Sequence, residues 1–270
     1  MKNILTTLML ITLCALSGIN ASAQSNASEL SVKDIVYRSN LATVYAGDDG
    51  RAQARMLIVD KQGRKQMRQF TILRRNVEKG GDQQFLLVFS RPSDVAKTSF
   101  LVEKHPGKDD DRWLYLPGLD LLKRIAAGDK RTSFVGSTFF YEDISGRDIN
   151  ADNYQLIAQD EKQWLLKATP KDSASVEFAY YQVSIDKQTM LPIKAEYFDS
   201  GNEMYRRLSV RKTAMVQGLP TVTEMKAENL RDGSFTINQM RGIEYDVGLP
   251  QNIFSERSLR MPPKKWLKGR

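Results

Sequence analysis

Reactive side chains are scarce in this sequence. Its 270 residues include one cysteine and one histidine, with no G-x-S-x-G elbow and no glycine-rich phosphate loop. Cys14 lies inside an apolar N-terminal run and follows Leu13, where a lipoprotein signal would carry a small residue, so lipidation is not expected. Beyond that run no cysteine remains, which excludes a disulfide framework and cysteine catalysis together. A zinc site collects several nitrogen or sulfur ligands, and His105, alone in the turn HPGKDDD, does not provide them. Asp109, Asp110 and Asp111 lack the spacing and terminal glutamate of an EF-hand. Among 32 acids, no pair is singled out for glycoside cleavage. The expectation is a protein that is not an enzyme, with no catalytic residue, no metal and no cofactor.

Long apolar runs are missing as well, except at the start. A basic MKN, the run ILTTLMLITLCALSGI and then Ala21-Ser22-Ala23 read as an export signal over residues 1–23, cleaved after Ala23. The run is short for a membrane span of about 20 residues. Residues 24–30 read as a flexible lead and residues 31–270 as a single domain. The net charge of +8 favours acidic partners such as anionic lipid head groups, with an ordinary basic surface as the plain alternative. Basic residues interleave with aromatics, as on nucleic-acid stacking surfaces, but the export signal argues against a nucleic-acid partner.

What is present is mostly strand. Ser31 followed three residues later by Asp34 marks a helix start, and Val32, Ile35, Val36 and Leu41 keep a helical spacing to about Val44. Gly47-Asp48-Asp49-Gly50 ends it. From Arg51 the period becomes two, and ARMLIVD, QMRQFTILR, QQFLLVFS, KTSFLVEK and RWLYLP read as a meander. It resumes with YQLIAQ, QWLLKATP, VEFAYYQVSID, LPIKAEYFD, YRRLSVRKTAMV, LPTVTEMKAEN and SFTINQMRGIEY. Long intervening helices are missing, which argues for one antiparallel sheet curled into a barrel or half barrel. Phe85, Leu87 and Phe89 point one way and Leu86 and Val88 the other, so neither face of that strand should meet water. A filled barrel explains this, and so does a curved sheet roofed by helices, which can also enclose an apolar cavity.

Between the two meanders lies RWLYLPGLDLLKRIAAGDKRTSFVGSTFFYEDI, rich in aromatics and poor in chemistry. GLDLLKRIAAGDKR fits a strand pair or a short helix, and Gly136-Ser137-Thr138 could cap a helical turn through Phe139, Phe140 and Tyr141. RWLYLPGLDLLKRI, GSTFFYEDI and the ending DVGLPQNIFSERSL resemble the outer-membrane lipoprotein-sorting family, the relatives of the periplasmic lipoprotein carrier of Gram-negative bacteria. The likeness is nearest to the branch that accompanies transporters of the resistance-nodulation-division type. It implies a mainly β fold: a half-open, curved antiparallel β-barrel with an N-terminal helix and a short helical lid over an apolar cavity. It also implies a periplasmic carrier of acylated cargo, lipoprotein or lipid, with transient membrane contact and an inner-membrane transporter as partner. On that footing Phe85, Leu87, Phe89, Phe100, Trp113 and Tyr115 are expected on the sheet side of the cavity. Phe134, Phe139 and Phe140 are expected in the lid, and Arg112, Lys123, Arg124 and Arg131 at a basic rim. The alternative is an adaptor of a transporter or envelope complex that keeps a solid core and carries nothing.

Overall fold

The computed structural model describes residues 30–268; the expected export signal lies outside them. Ser31 accepts a hydrogen bond from the Asp34 N–H at 3.1 Å, which caps helix α1 (Val32–Val44) where the sequence placed it. Gly47, with φ +67°, then turns the chain. A Cβ there would come 2.9 Å from Tyr245 Cβ, so the close approach of two backbones adds to the demand for glycine.

Thirteen antiparallel strands form one curved sheet with two free edges. The first meander comprises β1 (Asp49–Val59), β2 (Lys65–Asn76), β3 (Gln83–Arg91), β4 (Ser99–Lys104), β5 (Asp111–Leu116) and β6 (Leu121–Arg124). The second comprises β7 (Asp152–Gln159), β8 (Gln163–Pro170), β9 (Tyr180–Asp186), β10 (Pro192–Phe198), β11 (Met204–Val216), β12 (Leu219–Asn229) and β13 (Phe235–Tyr245). Every strand pairs with its neighbour in sequence except at one joint, where β13 returns to β1, and β6 and β7 are left as the edges. The expected half-open antiparallel barrel is therefore the observed fold, and within GLDLLKRI the residues LLKR resolve as strand β6 after a 3-10 turn at Pro117–Leu119: Leu114 stands opposite Lys123 and Tyr115 opposite Leu122.

Residues 125–151 cross from one edge to the other and carry helix α2 (Tyr141–Ser145). This short lid begins at Tyr141 rather than in the Gly136-Ser137-Thr138 turn. Its N-terminus is held by the Asp143 carboxylate, which accepts from the Phe140 N–H at 2.6 Å. Under it Ala54, Met56, Phe70, Phe85, Leu87, Phe89, Phe100 and Leu114 pack with Phe134, Phe139 and Tyr141 of the crossing segment. The opposite face of β2–β5 is covered by residues 246–268, including α3 (Glu256–Arg260) and α4 (Lys264–Leu267). There Leu73, Leu86, Val88 and Leu101 meet Leu249, Ile253, Phe254 and Leu259. Asp49 anchors this C-terminal strap by accepting from the N–H groups of Val247 at 2.7 Å and Leu249 at 2.6 Å. Both faces of β3 are thus dry, as its unbroken apolar run requires.

Candidate functional site

An apolar cavity of about 360 Å³ lies inside the curve of the sheet, beside the lid. Val44, the last residue of α1, and Ala46 just beyond it close one side, and Met56, Ile72, Phe85 and Leu87 form the floor. Phe139 and Ile144 come from the crossing segment, and Leu208, Met225, Met240 and Ile243 from the second meander. This volume is at the lower end of the range for ligand pockets. Arg51, Arg74, Asp143, Arg147 and Glu224 bring charge to the wall, and the Arg74 guanidinium donates to the Val44 carbonyl at 2.6 Å and to that of Ala46. The Val44 carbonyl, at the C-terminal end of α1, also accepts from Gln83 Nε2 at 2.9 Å. Burial lowers the Arg74 pKa against the pull of nearby acidic groups.

The lid is fixed differently on its two sides. Toward the first meander the attachment is aromatic, with Phe134 5.3 Å from Phe100 and 6.0 Å from Phe89 between ring centroids, and Tyr141 5.3 Å from Phe100, together with the buried Lys104 ammonium, which donates to the Ser145 carbonyl at 2.6 Å. Toward the second meander it is ionic. Arg131 grips Glu177 with two nitrogens at 2.7 and 2.8 Å and reaches Glu142 at 2.6 Å. Arg147 bridges Glu142 at 3.1 Å and Asp152 at 2.8 Å, while Arg206 pairs with Asp143. The Arg206 guanidinium also lies 4.1 Å from the centroid of Phe140. Burial raises the Glu142 pKa, but Arg131 and Arg147 outweigh it and hold the carboxyl below its ordinary value. The same contest at Glu177, between burial and its bonds from Arg131, also ends low.

The expected cavity residues divide into four groups. Phe85, Leu87 and Phe139 line the cavity. Phe89, Phe100 and Phe134 do not: they are buried in the closed aromatic cluster under the lid. Phe140 faces a second, more polar recess of about 600 Å³, shared with Arg131, Ser175, Tyr205, Arg206 and Ser234. Trp113 and Tyr115 lie on the other face of the sheet, against the C-terminal strap. Register explains the last case, because Trp113 stands opposite Leu101 of the outer cluster while Leu114 stands opposite Phe100 of the inner one.

The basic rim is likewise divided. Arg112 is not at a rim, being 2% exposed and bound to Asp110 under the end of the lid. Arg131 belongs to the ionic side of the lid. Lys123 and Arg124 are exposed on edge strand β6, with Arg124 paired to Asp111. His105 Nδ1 is 2.7 Å from Asp82, and its Nε2 is 3.8 Å from Asp111. Ligand atoms of Glu103, His105 and Asp111 lie within 4.8 Å of one another on that face, though Arg124 and Asp82 already engage the group. Sequence reasoning missed Met225, Met240 and Ile243 in the cavity wall, residues that differ in no visible way from their strand neighbours. Among the described residues no helix is long and apolar enough to cross a membrane.

A family model bearing the description "Uncharacterized protein" matches residues 81–261. No protein in the curated set matches the chain. Solved structures do. A DUF1329 family protein from Desulfovibrio piger is 31% identical, with a TM-score of 0.77 over 84% of this chain and 96% of that one. A domain from Vibrio parahaemolyticus assigned to outer membrane lipoprotein sorting is 27% identical, with a TM-score of 0.76 over 84% and 97%. A LolA superfamily protein from Nitrosomonas europaea shares the fold at 14% identity, with a TM-score of 0.66 over 85% and 99%. The half-open sheet, the lid across it and these likenesses converge: the chain belongs to the DUF1329 family and is similar in sequence and fold to a domain named for outer membrane lipoprotein sorting.

Proposed function

We propose that this protein is a periplasmic carrier that takes the acyl chain of a lipoprotein or lipid into its cavity and moves it toward the outer membrane. The observation that carries this reading is the apolar cavity of about 360 Å³ between sheet, α1 and lid. Exposing an acyl chain to water costs about 0.8 kcal/mol per methylene, so a chain of some fourteen carbons needs roughly 10 kcal/mol of shielding. Phe85, Leu87, Phe139 and the methionines around them provide a dry wall for that purpose. No covalent step is involved. Release requires only that the cavity open or lose affinity, which a lid held by ion pairs on one side permits.

The partner in this reading is an inner-membrane transporter of the resistance-nodulation-division type. The resemblance of RWLYLPGLDLLKRI, GSTFFYEDI and DVGLPQNIFSERSL to the family branch that accompanies such transporters supports it. The test is to express the protein with export to a Gram-negative periplasm, extract it with organic solvent and weigh what was bound. An acyl species should copurify, and the emptied protein should take up a fluorescent fatty-acid probe saturably. A protein that carries no acyl species and takes up no probe overturns the proposal. One observation favours the adaptor reading instead: Phe89, Phe100 and Phe134 form a solid core where a larger cavity could have been. An adaptor would bind transporter with the cavity blocked, whereas a carrier would not function in that state.

A further inference from the structure

Strands β12 and β13 run side by side for only part of their length. Their ladder extends from Glu228 opposite Phe235 to Glu224 opposite Gln239 and stops there, although β12 begins at Leu219 and β13 ends at Tyr245. Past that point β13 is paired only with β1, Met240 with Ala54 and Tyr245 with Gly50. β12 is paired only with β11, Thr221 with Ala214 and Leu219 with Val216. The sheet forks here, and both prongs line the apolar cavity, through Thr221, Val222 and Thr223 on one side and Met240, Ile243 and Tyr245 on the other. At the root, the Asn238 Oδ1 is buried with no hydrogen-bond partner.

The tip of the fork is clasped by side chains. Gln217 donates from Nε2 to the Tyr245 carbonyl at 3.1 Å and accepts the Tyr245 N–H on Oε1 at 2.7 Å. The Thr221 and Tyr245 hydroxyls are 3.0 Å apart. Two hydrogen bonds from one side-chain amide and a hydroxyl contact replace a run of ladder, and they break more readily than a continuous sheet. Beside the clasp, residues 211–215 are exposed, with Met215 at 65%. Arg211 and Lys212 share the single carboxylate of Glu224, at 3.2 and 3.3 Å, and Arg241 is exposed on the other prong. An apolar tip flanked by surplus positive charge matches the interface of an anionic bilayer.

We infer that the fork between β12 and β13 is the doorway of the cavity, and that the β11–β12 hairpin docks it on an anionic lipid surface. The inference rests on the reading of the cavity as an acyl site. A lateral doorway lets the hydrocarbon tail slide inward while its polar head stays in water. Cys14 being the only native cysteine, Thr223→Cys and Met240→Cys give a unique thiol pair across the fork for a short bis-maleimide.

The experiment follows transfer of a fluorescent fatty-acid probe from phosphatidylcholine vesicles, with or without phosphatidylglycerol, into the exported protein. Linking the fork should slow uptake by at least about tenfold relative to the same variant unlinked. The double change Met215→Asp with Lys212→Glu should slow transfer from phosphatidylglycerol vesicles by about tenfold while leaving uptake of free probe unchanged. Equal rates in linked and unlinked protein overturn the doorway and leave the cavity reading intact. Transfer indifferent to phosphatidylglycerol and to the double change overturns the docking surface. If the native protein takes up no probe at any time, the cavity reading falls and the doorway with it.

Discussion

Leu87 and Phe89 are two positions apart on one face of β3, yet only Leu87 reaches the cavity. Phe89 is enclosed by Phe70 at 5.1 Å and Phe134 at 6.0 Å between ring centroids. Their substitutions should therefore differ in kind. Phe89→Ala should cost about 3–5 kcal/mol in urea unfolding, through the void it leaves, and should not change the number of probe molecules bound. Leu208→Trp, at a half-buried position in the cavity wall, should do the reverse: it fills the space, changes stability by about 1–3 kcal/mol or less, and abolishes saturable probe uptake. If Phe89→Ala lost the probe while remaining folded, the boundary drawn between core and cavity would be wrong.

At the scale of elements the lid is the informative case, because aromatic packing and the buried Lys104 hold one side and buried ion pairs the other. Glu142 and Glu177 have folded-state pKa values depressed by Arg131 and its neighbours. Their contribution is complete above the ordinary glutamate value of about 4.3 and is lost as pH falls below it toward the folded values. Urea unfolding should give a stability that is flat above about pH 5 and falls below pH 4, with a shallower fall in Glu142→Gln. That variant should also be about 1–3 kcal/mol less stable at neutral pH, since Arg131 and Arg147 lose a shared charged partner while keeping Glu177 and Asp152. Much of the element list was legible in the sequence. The Ser31 cap set the start of α1, the period of two gave the strands, and the unbroken run in β3 announced two dry faces. The start of the lid helix was not legible, because Val135 and Gly136 at φ +49° and +76° spend the Gly-Ser-Thr segment on a turn between Phe134 and Phe139. Nor was the side taken by Trp113 and Tyr115, which depends on register against β4 and not on their own pattern. The cavity wall from β12 and β13 was hidden for a related reason: alternation identifies a face but not the place where two strands part.

For the whole molecule, the C-terminal strap matters as much as the sheet it covers. Leu249, Ile253, Phe254 and Leu259 are buried against β2–β4, each worth about 1.5–3 kcal/mol of transfer from water. Ending the chain after Tyr245 should expose Leu73, Leu86, Val88 and Leu101 on a broad face, and the product should aggregate or fail to melt cooperatively in calorimetry. A truncated protein with unchanged cooperative melting would mean that the strap is an ornament. The joint between β1 and β13 has a kinetic consequence of its own. Each meander is assembled from contacts close in the chain, whereas Gly50 meets Tyr245 only after nearly the whole chain has been delivered. Loop closure makes such a pairing the slow one. Until it forms, two nascent half-sheets carry bare edges at β1 and β13, so the order of emergence exposes the earliest strand longest. Refolding should accordingly show its main barrier at this seam, and a circular permutant opened between β6 and β7, with the native ends joined, should close it sooner.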